Sequence, residues 1–253
     1  MKQEAVHLVI PCYRESGRLQ AFLEPLCHAL AHLGSVSVLV VDDGSGLEEA
    51  DRLHAIVEAA RAHHPFVREM FRLRENIGKG ATVYAGWRNH LGEPWLMFAD
   101  ADGAVPAREV TRLIVRARSD RSLQRAYFAS RVKMLGRNVQ RVWYRELMGH
   151  AFHALVAGLL GERAHDTQCG CKIVPREFFE RALDSLSLPG FAFDVELMLG
   201  LRAAGCALEE VPVDWREVSG GKLRLMRDSW SMFRDVMRLR QRYDGRKFKG
   251  DFS

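Results

Sequence analysis

Short apolar runs alternate with amphipathic stretches along the first half of the chain. Val6–Ile10 is a β-branched-rich run stopped by Pro11, which predicts a strand. Leu19, Phe22, Leu23, Leu26, Leu30 and Leu33 follow at helical spacing, and Gly34 closes the pattern. Pro25 falls inside it and predicts a kink or a later start. Val36–Val41 predicts a second strand, Glu48–Ala62 a second helix and Val67–Leu73 a third strand. A helix from the glycine-rich Asn76–Gly80 to Leu91, a strand over Trp95–Phe98, a helix over Ala107–Ala117 and a strand over Ala126–Ser130 continue the series.

Strictly alternating strands and helices of this kind predict an α/β fold, a mostly parallel sheet with helices on both faces. Ligands of such sheets bind beyond the carboxyl ends of the strands. Those ends carry the chain's unusual polar residues: Tyr13 to Glu15, the pair Asp42 and Asp43, Asp100 and Asp102, and Arg131.

After Arg131 the pattern changes. Arg137–Gly161 reads as helical, with Trp143, Tyr144, Phe152 and Leu155 set among arginines. A polar loop at His165–Lys172, a helix over Arg176–Leu186, a helix over Phe193–Ala204 and a strand-like Leu208–Trp215 follow. In the tail helix Met226, Trp230, Phe233 and Met237 share one face, with Arg227, Arg234 and Arg238 beside it. The simplest division is one main domain over 1–221, with interface helices near 137–163, and a basic amphipathic helix and tail over 222–253.

Composition narrows the possibilities. A chain of 253 residues suffices for one large or two small domains with a substantial core. Net charge is +5, too modest to imply nucleic acid, and the tail contains no recognised nucleic-acid-reading motif. From Lys222 to Asp251 there are ten Lys/Arg against four Asp, a local +6 that suits an anionic lipid surface or a solvated rim. Five cysteines, an odd number, with no export signal at MKQEAVHLVIP, predict reduced thiols in the cytoplasm. Cys169 and Cys171 make a C-x-C pair with no second pair to complete a zinc pattern. The longest mostly apolar stretch, Ala151–Gly161, falls short of the roughly 20 residues a spanning helix needs, so the expectation is a protein that at most lies on a membrane.

The strongest local chemistry is in LMFADADGAV. A buried strand ends in Asp100 and Asp102, whose i, i+2 spacing puts both carboxylates on one side of extended backbone. Gly103 lets the chain turn and a ligand approach. Two hard oxygen ligands on such a loop suit a divalent metal that also touches phosphates, although a solvated loop or a helix cap fits the same residues. Asn76-Ile77-Gly78-Lys79-Gly80 opens a helix and can hold phosphate or ribose through backbone N–H groups, or be a tight turn. It is neither a Walker A nor a G-x-G-x-x-G. Asp42-Asp43 can accept hydrogen bonds from a base or ribose, or cap a turn.

VIPCYRE, VLVVDDGS, ENIGKGATVYAGW, FADADGA, ASR, DTQCGCK, FAFDVEL and VPVDWREVSGGKL occur in that order. Together they resemble glycosyltransferase family 2, inverting enzymes with a GT-A fold. More closely they resemble its dolichyl-phosphate β-glucosyltransferase and polyprenyl-phosphate mannose synthase branch. Arg14 stands where the family pattern has Asn, Ala129 where Gly is common, Cys171 where Phe is common and Gly221 where Ser is usual.

The resemblance implies roles. Pro11, Tyr13 and Glu15 would line the nucleotide base pocket, Asp42 would contact base or ribose, and Asp43 would support it. Asp100 and Asp102 would be the metal-binding acids for Mg²⁺ or Mn²⁺, Asp102 reaching the ion and Asp100 lying over the ribose or supporting the ion's direct ligands from behind. Arg131 would hold the acceptor phosphate, with Asp166 and Gln168 beside it. Lys222 would close over the diphosphate on a mobile loop, and Lys79 is a further candidate for that surface. The implied reaction moves a hexose, glucose from UDP-glucose, onto a polyprenyl or dolichyl phosphate at the cytoplasmic face of a membrane. GDP-mannose as donor is the alternative. A hydroxyl acceptor is another, and would make Asp194 or Asp166 the general base. A non-catalytic nucleotide-sugar-binding protein is disfavoured by the intact Asp100, Asp102, Arg131 and Lys222.

Overall fold

The computed structural model describes residues 4–120, 122–132, 139–140, 166–190, 192–218 and 225–243, with backbone alone for 139–140 and 225–233. The strands are β1 (Val6–Cys12), β2 (Val36–Asp42), β3 (Phe71–Arg72), β4 (Trp95–Ala99), β5 (Arg125–Ser130), β6 (Val139–Gln140), β7 (Cys171–Pro175), β8 (Ala207–Pro212) and β9 (Trp215–Arg216). The helices are α1 (Ser16–Ala31), α2 (Leu47–His63), α3 (Lys79–Trp87), α4 (Ala107–Ser119), α5 (Arg176–Ala182), α6 (Phe193–Ala203) and α7 (Leu225–Tyr243).

Seven strands form one sheet in the order β3-β2-β1-β4-β7-β5-β8, and β6 pairs with β9 apart from it. The parallel α/β expectation holds for β3, β2, β1, β4 and the β5–β8 pair. β7 differs: it lies antiparallel between β4 and β5. Its five residues sit where the sequence pattern shows the end of a polar loop, because Lys172 interrupts the apolar run. The chain passes from β1 to β2 on one side and returns to β4 on the other, so strand order reverses between β1 and β4. A crevice forms outside the carboxyl ends of two strands at such a reversal.

Each face of the sheet carries its own core. Val6, Leu8, Ile10 and Cys12 of β1 pack with α1, α2 and α4. Val9 faces the other way, among residues of α3, α5, α6 and the end of α7. Alternate residues of a strand point to opposite faces, so one central strand feeds both cores. α6 is buried on all sides from Phe193 to Leu201, which fits a helix apolar around its whole circumference.

β1 runs through Pro11, two residues beyond the predicted end. Pro11 pairs with Val41 of β2, while β4 reaches only to Val9, so the proline has one sheet neighbour and its missing N–H costs no ladder bond on the other side. α1 likewise continues past Pro25. β3 is shorter than predicted: Phe71–Arg72 pair with β2, and Val67 makes one isolated bridge to Val38. Among the described residues no helix is long and apolar enough to cross a membrane.

The stretch predicted as helical over Arg137–Gly161 is extended at Val139–Gln140, and the rest of it lies outside the described residues. Met226, Trp230 and Phe233 have no described side chains. Over the last turns of α7 the buried face is Val236, Leu239 and Tyr243, packed on the second core, with Met237 half-buried and Arg234, Arg238 and Arg240 exposed.

Candidate active site

Asp100 and Asp102 follow the end of β4 at the reversal between β1 and β4. They meet through a turn and not through the pleat of a strand: the Gly103 N–H points back at the Asp100 carbonyl at 3.5 Å. Gly103 takes φ +66°, and a side chain there would run into the Phe22 ring. Its freedom therefore serves the turn against α1 and opens no space for a ligand. Gly170 is held closer still. Its carbonyl accepts from the Asp100 N–H at 2.9 Å, and a methyl group on it would overlap the Asp100 carboxylate.

The two carboxylates are treated differently. Lys79 Nζ lies 2.6 Å from Asp100 Oδ1 and 2.9 Å from Oδ2. Burial alone would lower the lysine, but Asp100 and Asp194 outweigh it and hold the ammonium above its ordinary range. Asp102 Oδ1 accepts from the Ala104 N–H at 3.0 Å, and its Oδ2 faces the Arg18 guanidinium at 4.0 Å. Burial, then the neighbouring Asp100, push the Asp102 carboxyl above the usual carboxylate range. Its side chain remains 27 % exposed.

At the end of β1, Tyr13 and Glu15 are half-buried and Pro11 is partly exposed. Arg18 pairs with Glu15 and so ties the end of β1 to Asp102. Arg14 takes φ +55°, a left-handed conformation that asparagine adopts more readily than arginine. This is the position where the family pattern carries Asn. Its N–H donates to Ser45 Oγ at 2.8 Å and its guanidinium lies over the Tyr13 ring.

Asp42 is fully buried. Its Oδ1 accepts from the Ser45 N–H at 3.1 Å, while Oδ2 makes no hydrogen bond and lies 3.5 Å from Arg72 Nε. Asp43 has a different task. Its carboxylate accepts from the Ile77 N–H at 2.7 Å, the Gly78 N–H at 3.0 Å and Asn76 Nδ2 at 2.9 Å. The backbone N–H groups expected to cradle a phosphate are thus already taken by a carboxylate of this chain. The glycine-rich loop serves instead to launch α3 with Lys79 aimed at Asp100. Burial raises the Asp43 carboxyl even so, the loop N–H groups offsetting part of the effect.

Arg131 follows β5. Its Nε donates to Asp166 Oδ2 and its Nη2 to Asp166 Oδ1, both at 2.7 Å, and its backbone N–H also reaches Oδ2 at 2.8 Å. Asp166 is itself fixed, its N–H donating to Glu210 Oε1 at 2.7 Å. Trp215 lies under the guanidinium, 5.6 Å from its carbon. Burial would lower the arginine, but Asp166 holds its pKa above the ordinary value. Among the described residues Nη1 makes no hydrogen bond, so one edge of the fork remains for an anion. The Gln168 N–H donates to Asp166 Oδ1 at 3.2 Å.

Asp194 is, after the fully buried Asp42, among the deepest of the sequence candidates. It opens α6 with its side chain 5 % exposed and pairs with a fully buried Lys172, Nζ to Oδ1 2.5 Å. Burial raises the Asp194 carboxyl despite Lys172 and Lys79. Lys222 lies outside the described residues. Sequence reasoning missed Arg18, Arg72, Lys172 and Glu210. Two of them left a signal: Arg18 through its i, i+3 spacing from Glu15 at a helix start, and Lys172 as the last residue of DTQCGCK.

Comparison with known proteins decides the family. The profile described as Glycosyl transferase family 2 matches residues 7–183. The chain belongs to glycosyltransferase family 2. Within the family it is 32 % identical over 247 residues to the dolichyl-phosphate beta-glucosyltransferase of Mus musculus, covering 93 % of this chain and 75 % of the mouse protein. It is 31 % identical over 252 residues to that of Saccharomyces cerevisiae, covering 93 % and 74 %. Among solved structures it is similar to the glucosyl-3-phosphoglycerate synthase of Mycobacterium tuberculosis in complex with Mn²⁺, UDP and glucosyl-3-phosphoglycerate. The TM-score is 0.63 at 17 % identity, over 98 % of this chain and 82 % of that one. That likeness establishes the GT-A fold of this family 2 glycosyltransferase.

Proposed function

We propose that this chain is an inverting glucosyltransferase that moves glucose from UDP-glucose onto a polyprenyl or dolichyl phosphate, acting peripherally at the cytoplasmic face of a membrane. The observation that carries the reading is its similarity, over nearly its whole length, to dolichyl-phosphate beta-glucosyltransferases of mouse and yeast. The GT-A neighbour binding UDP supports the nucleotide.

The donor half of the site is the crevice between β1 and β4. Pro11, Tyr13 and Glu15 form one wall for the base. Asp42, whose buried Oδ2 lacks a hydrogen bond, would accept one from base or ribose. Asp100 and Asp102 fit a divalent cation: both are hard oxygen donors, and Asp102 is raised by burial and by its acidic neighbour, a shortage of positive charge that such an ion would meet. Mg²⁺ or Mn²⁺, bound there, would supply Lewis-acid stabilisation of the departing diphosphate. Lys79 stands beside the Asp100 carboxylate as a second positive charge, and Lys222, outside the described residues, is the further proposed contact with the diphosphate.

Arg131 is the proposed acceptor contact. An arginine fork held on one edge by Asp166 presents its other edge to a phosphate in a fixed plane. A phosphate monoester, with a second pKa near ~6, is already anionic at neutral pH and needs alignment more than a base. The burial of Asp194 against Lys172 agrees with this, since a general base must reach the acceptor proton. Asp194 then acts as a positioning residue, holding Lys172 across β4 and β5. Gln168 would help fix Asp166.

Product analysis with a panel of nucleotide sugars and a short polyprenyl phosphate tests the reading. Glucosyl phosphopolyprenol from UDP-glucose is the expected product. Transfer from GDP-mannose alone would replace the donor, and no lipid-linked product from any donor would overturn the acceptor.

A further inference from the structure

Glu24 and His28 lie four residues apart on the exposed face of α1, and His64 directly follows α2. Both helices run from the carboxyl edge of the sheet back to its amino edge, so these residues stand at the end of the fold opposite Asp100 and Asp102. His28 Nε2 lies 3.1 Å and His64 Nε2 3.5 Å from the same carboxylate oxygen, Glu24 Oε1. One donor atom from each of the three residues falls within 4.8 Å of the others.

His64 makes the cluster more than a surface ion pair. Its side chain is 8 % exposed, and its Nε2 is buried without a hydrogen bond, close to Glu24 but not aligned with it. The residue cannot turn away easily. Its N–H donates to the Ala60 carbonyl and its own carbonyl accepts from the Val67 N–H, both at 2.9 Å. Its ring is wedged between His28 at 5.2 Å and Phe66 at 5.5 Å. A buried polar nitrogen with no partner is uncommon and calls for a ligand.

We infer that Glu24, His28 and His64 bind a divalent cation of the zinc class. A tetrahedral ion with bonds near ~2.1 Å separates its ligand atoms by about 3.4 Å, matching the two Glu24 distances. Glu24 and His28 are exposed and can rotate to close the third. Two imidazoles and a carboxylate suit Zn²⁺ and other late first-row ions and suit Mg²⁺ poorly. The bound ion staples α1 to α2 and leaves a fourth position to water. The cysteines offer no competing site of comparable quality: all five are buried, and burial pushes the Cys27, Cys169 and Cys206 thiols up to about 12.

The test is a Zn²⁺ titration of the full chain against a chromophoric chelator in excess Mg²⁺, with Co²⁺ absorption as a second readout. One Zn²⁺ per chain is expected, with the intense visible bands of four-coordinate Co²⁺. The exposed variant H28A and the variant E24Q should each weaken binding at least tenfold, about the scale of losing one contact around a metal. The Asp100→Ala, Asp102→Ala double variant should bind this ion as the unaltered chain does. Absence of Zn²⁺ binding, equal binding by H28A, or its loss in the Asp100/Asp102 double variant would each overturn the assignment.

Discussion

Lys172 Nζ lies 2.5 Å from Asp194 Oδ1, with the lysine wholly buried and the aspartate side chain 5 % exposed. The ammonium also donates to the Cys169 carbonyl at 2.7 Å and lies 5.2 Å from the centres of both the Phe98 and Phe128 rings. Lys172 stands opposite Phe98 on β4 and Phe128 on β5, so the pair locks the antiparallel β7 into the sheet beside the site. Removing one partner leaves the other charge buried and uncompensated. Lys172→Met and Asp194→Asn should each cost about 3–5 kcal/mol, while the double variant Lys172→Met, Asp194→Leu should recover most of the loss. Urea unfolding of the three variants checks this, and a double variant no better than the worse single one would deny the pairing its role.

Asp43 spends its carboxylate on the Asn76–Gly78 loop, and that loop aims Lys79 at Asp100. Asp43→Ala leaves the Ile77 and Gly78 N–H groups without their acceptor, at a cost of about 2–3 kcal/mol. The predicted signature is local. Amide hydrogen exchange should quicken at Ile77 and Gly78 far more than in β1 or β4, and the donor KM should rise as Lys79 loses its fixed approach. Unchanged exchange at those two amides would show that the loop holds itself.

Much of this was legible in the sequence, for identifiable reasons. The β1 to α4 series carries short continuous apolar runs between stretches of helical spacing, and the structure follows it except at β3, where only Phe71–Arg72 pair. The strand ends were legible because acids after an apolar run are conspicuous. What was hidden depends on pairing between distant segments. β7 reads as a loop since its lysine looks like a solvent residue, and only Asp194, twenty-two positions later, makes burial of Lys172 tolerable. The Asn76–Gly80 loop reads as a phosphate cradle because nothing local reveals that Asp43 occupies it. The buried face of α7 near its end, Val236, Leu239 and Tyr243, is offset from the Met226–Met237 stripe, since contact with α6 and not the most apolar stripe sets the packing there.

Asp102 is expected to matter through the metal and the leaving diphosphate. Asp102→Ala should lower kcat/KM by about 10³-fold or more, because Lewis-acid stabilisation supplies several kcal/mol. Stability should change little, since this carboxyl is part-exposed and raised above its ordinary range, so its charge is not favoured by folding. Mn²⁺ titration monitored by paramagnetic relaxation, with and without UDP, separates lost metal binding from misfolding. Near-normal transfer by Asp102→Ala would remove the residue from the reaction.

Arg131 offers a sharper comparison because lysine keeps its charge. The Asp166 clasp uses Nε and Nη2 together, a geometry an ammonium cannot reproduce. Arg131→Lys should therefore reduce kcat/KM for the acceptor by about 10–10²-fold, the worth of one hydrogen bond to a charged group, while the donor KM stays within about twofold. Initial rates with each substrate varied in turn test it. A loss confined to the donor KM would move Arg131 to the other half of the site.

His7 gives the fold its own pH response. The imidazole is buried in β1, its Nε2 donating to the Gly86 carbonyl at 3.1 Å and its Nδ1 lying 3.0 Å from Ser37 Oγ, which in turn donates to Glu93 at 2.8 Å. Burial outweighs the Gly86 bond and the Glu93 charge and holds its pKa below the ordinary 6.5. As pH falls through about 6.5, the unfolded chain takes up a proton at this position that the folded chain refuses. The contribution of His7 is therefore present in full above that pH and declines below it, by up to about 1.4 kcal/mol per pH unit, until the folded imidazole also ionises. His7→Gln keeps a donor for Gly86 but cannot titrate. It should be less stable at pH 7.5, and its unfolding free energy should fall less than that of the unaltered chain between pH 7 and about 5.5. Parallel slopes for the two proteins would assign the acid sensitivity to other histidines.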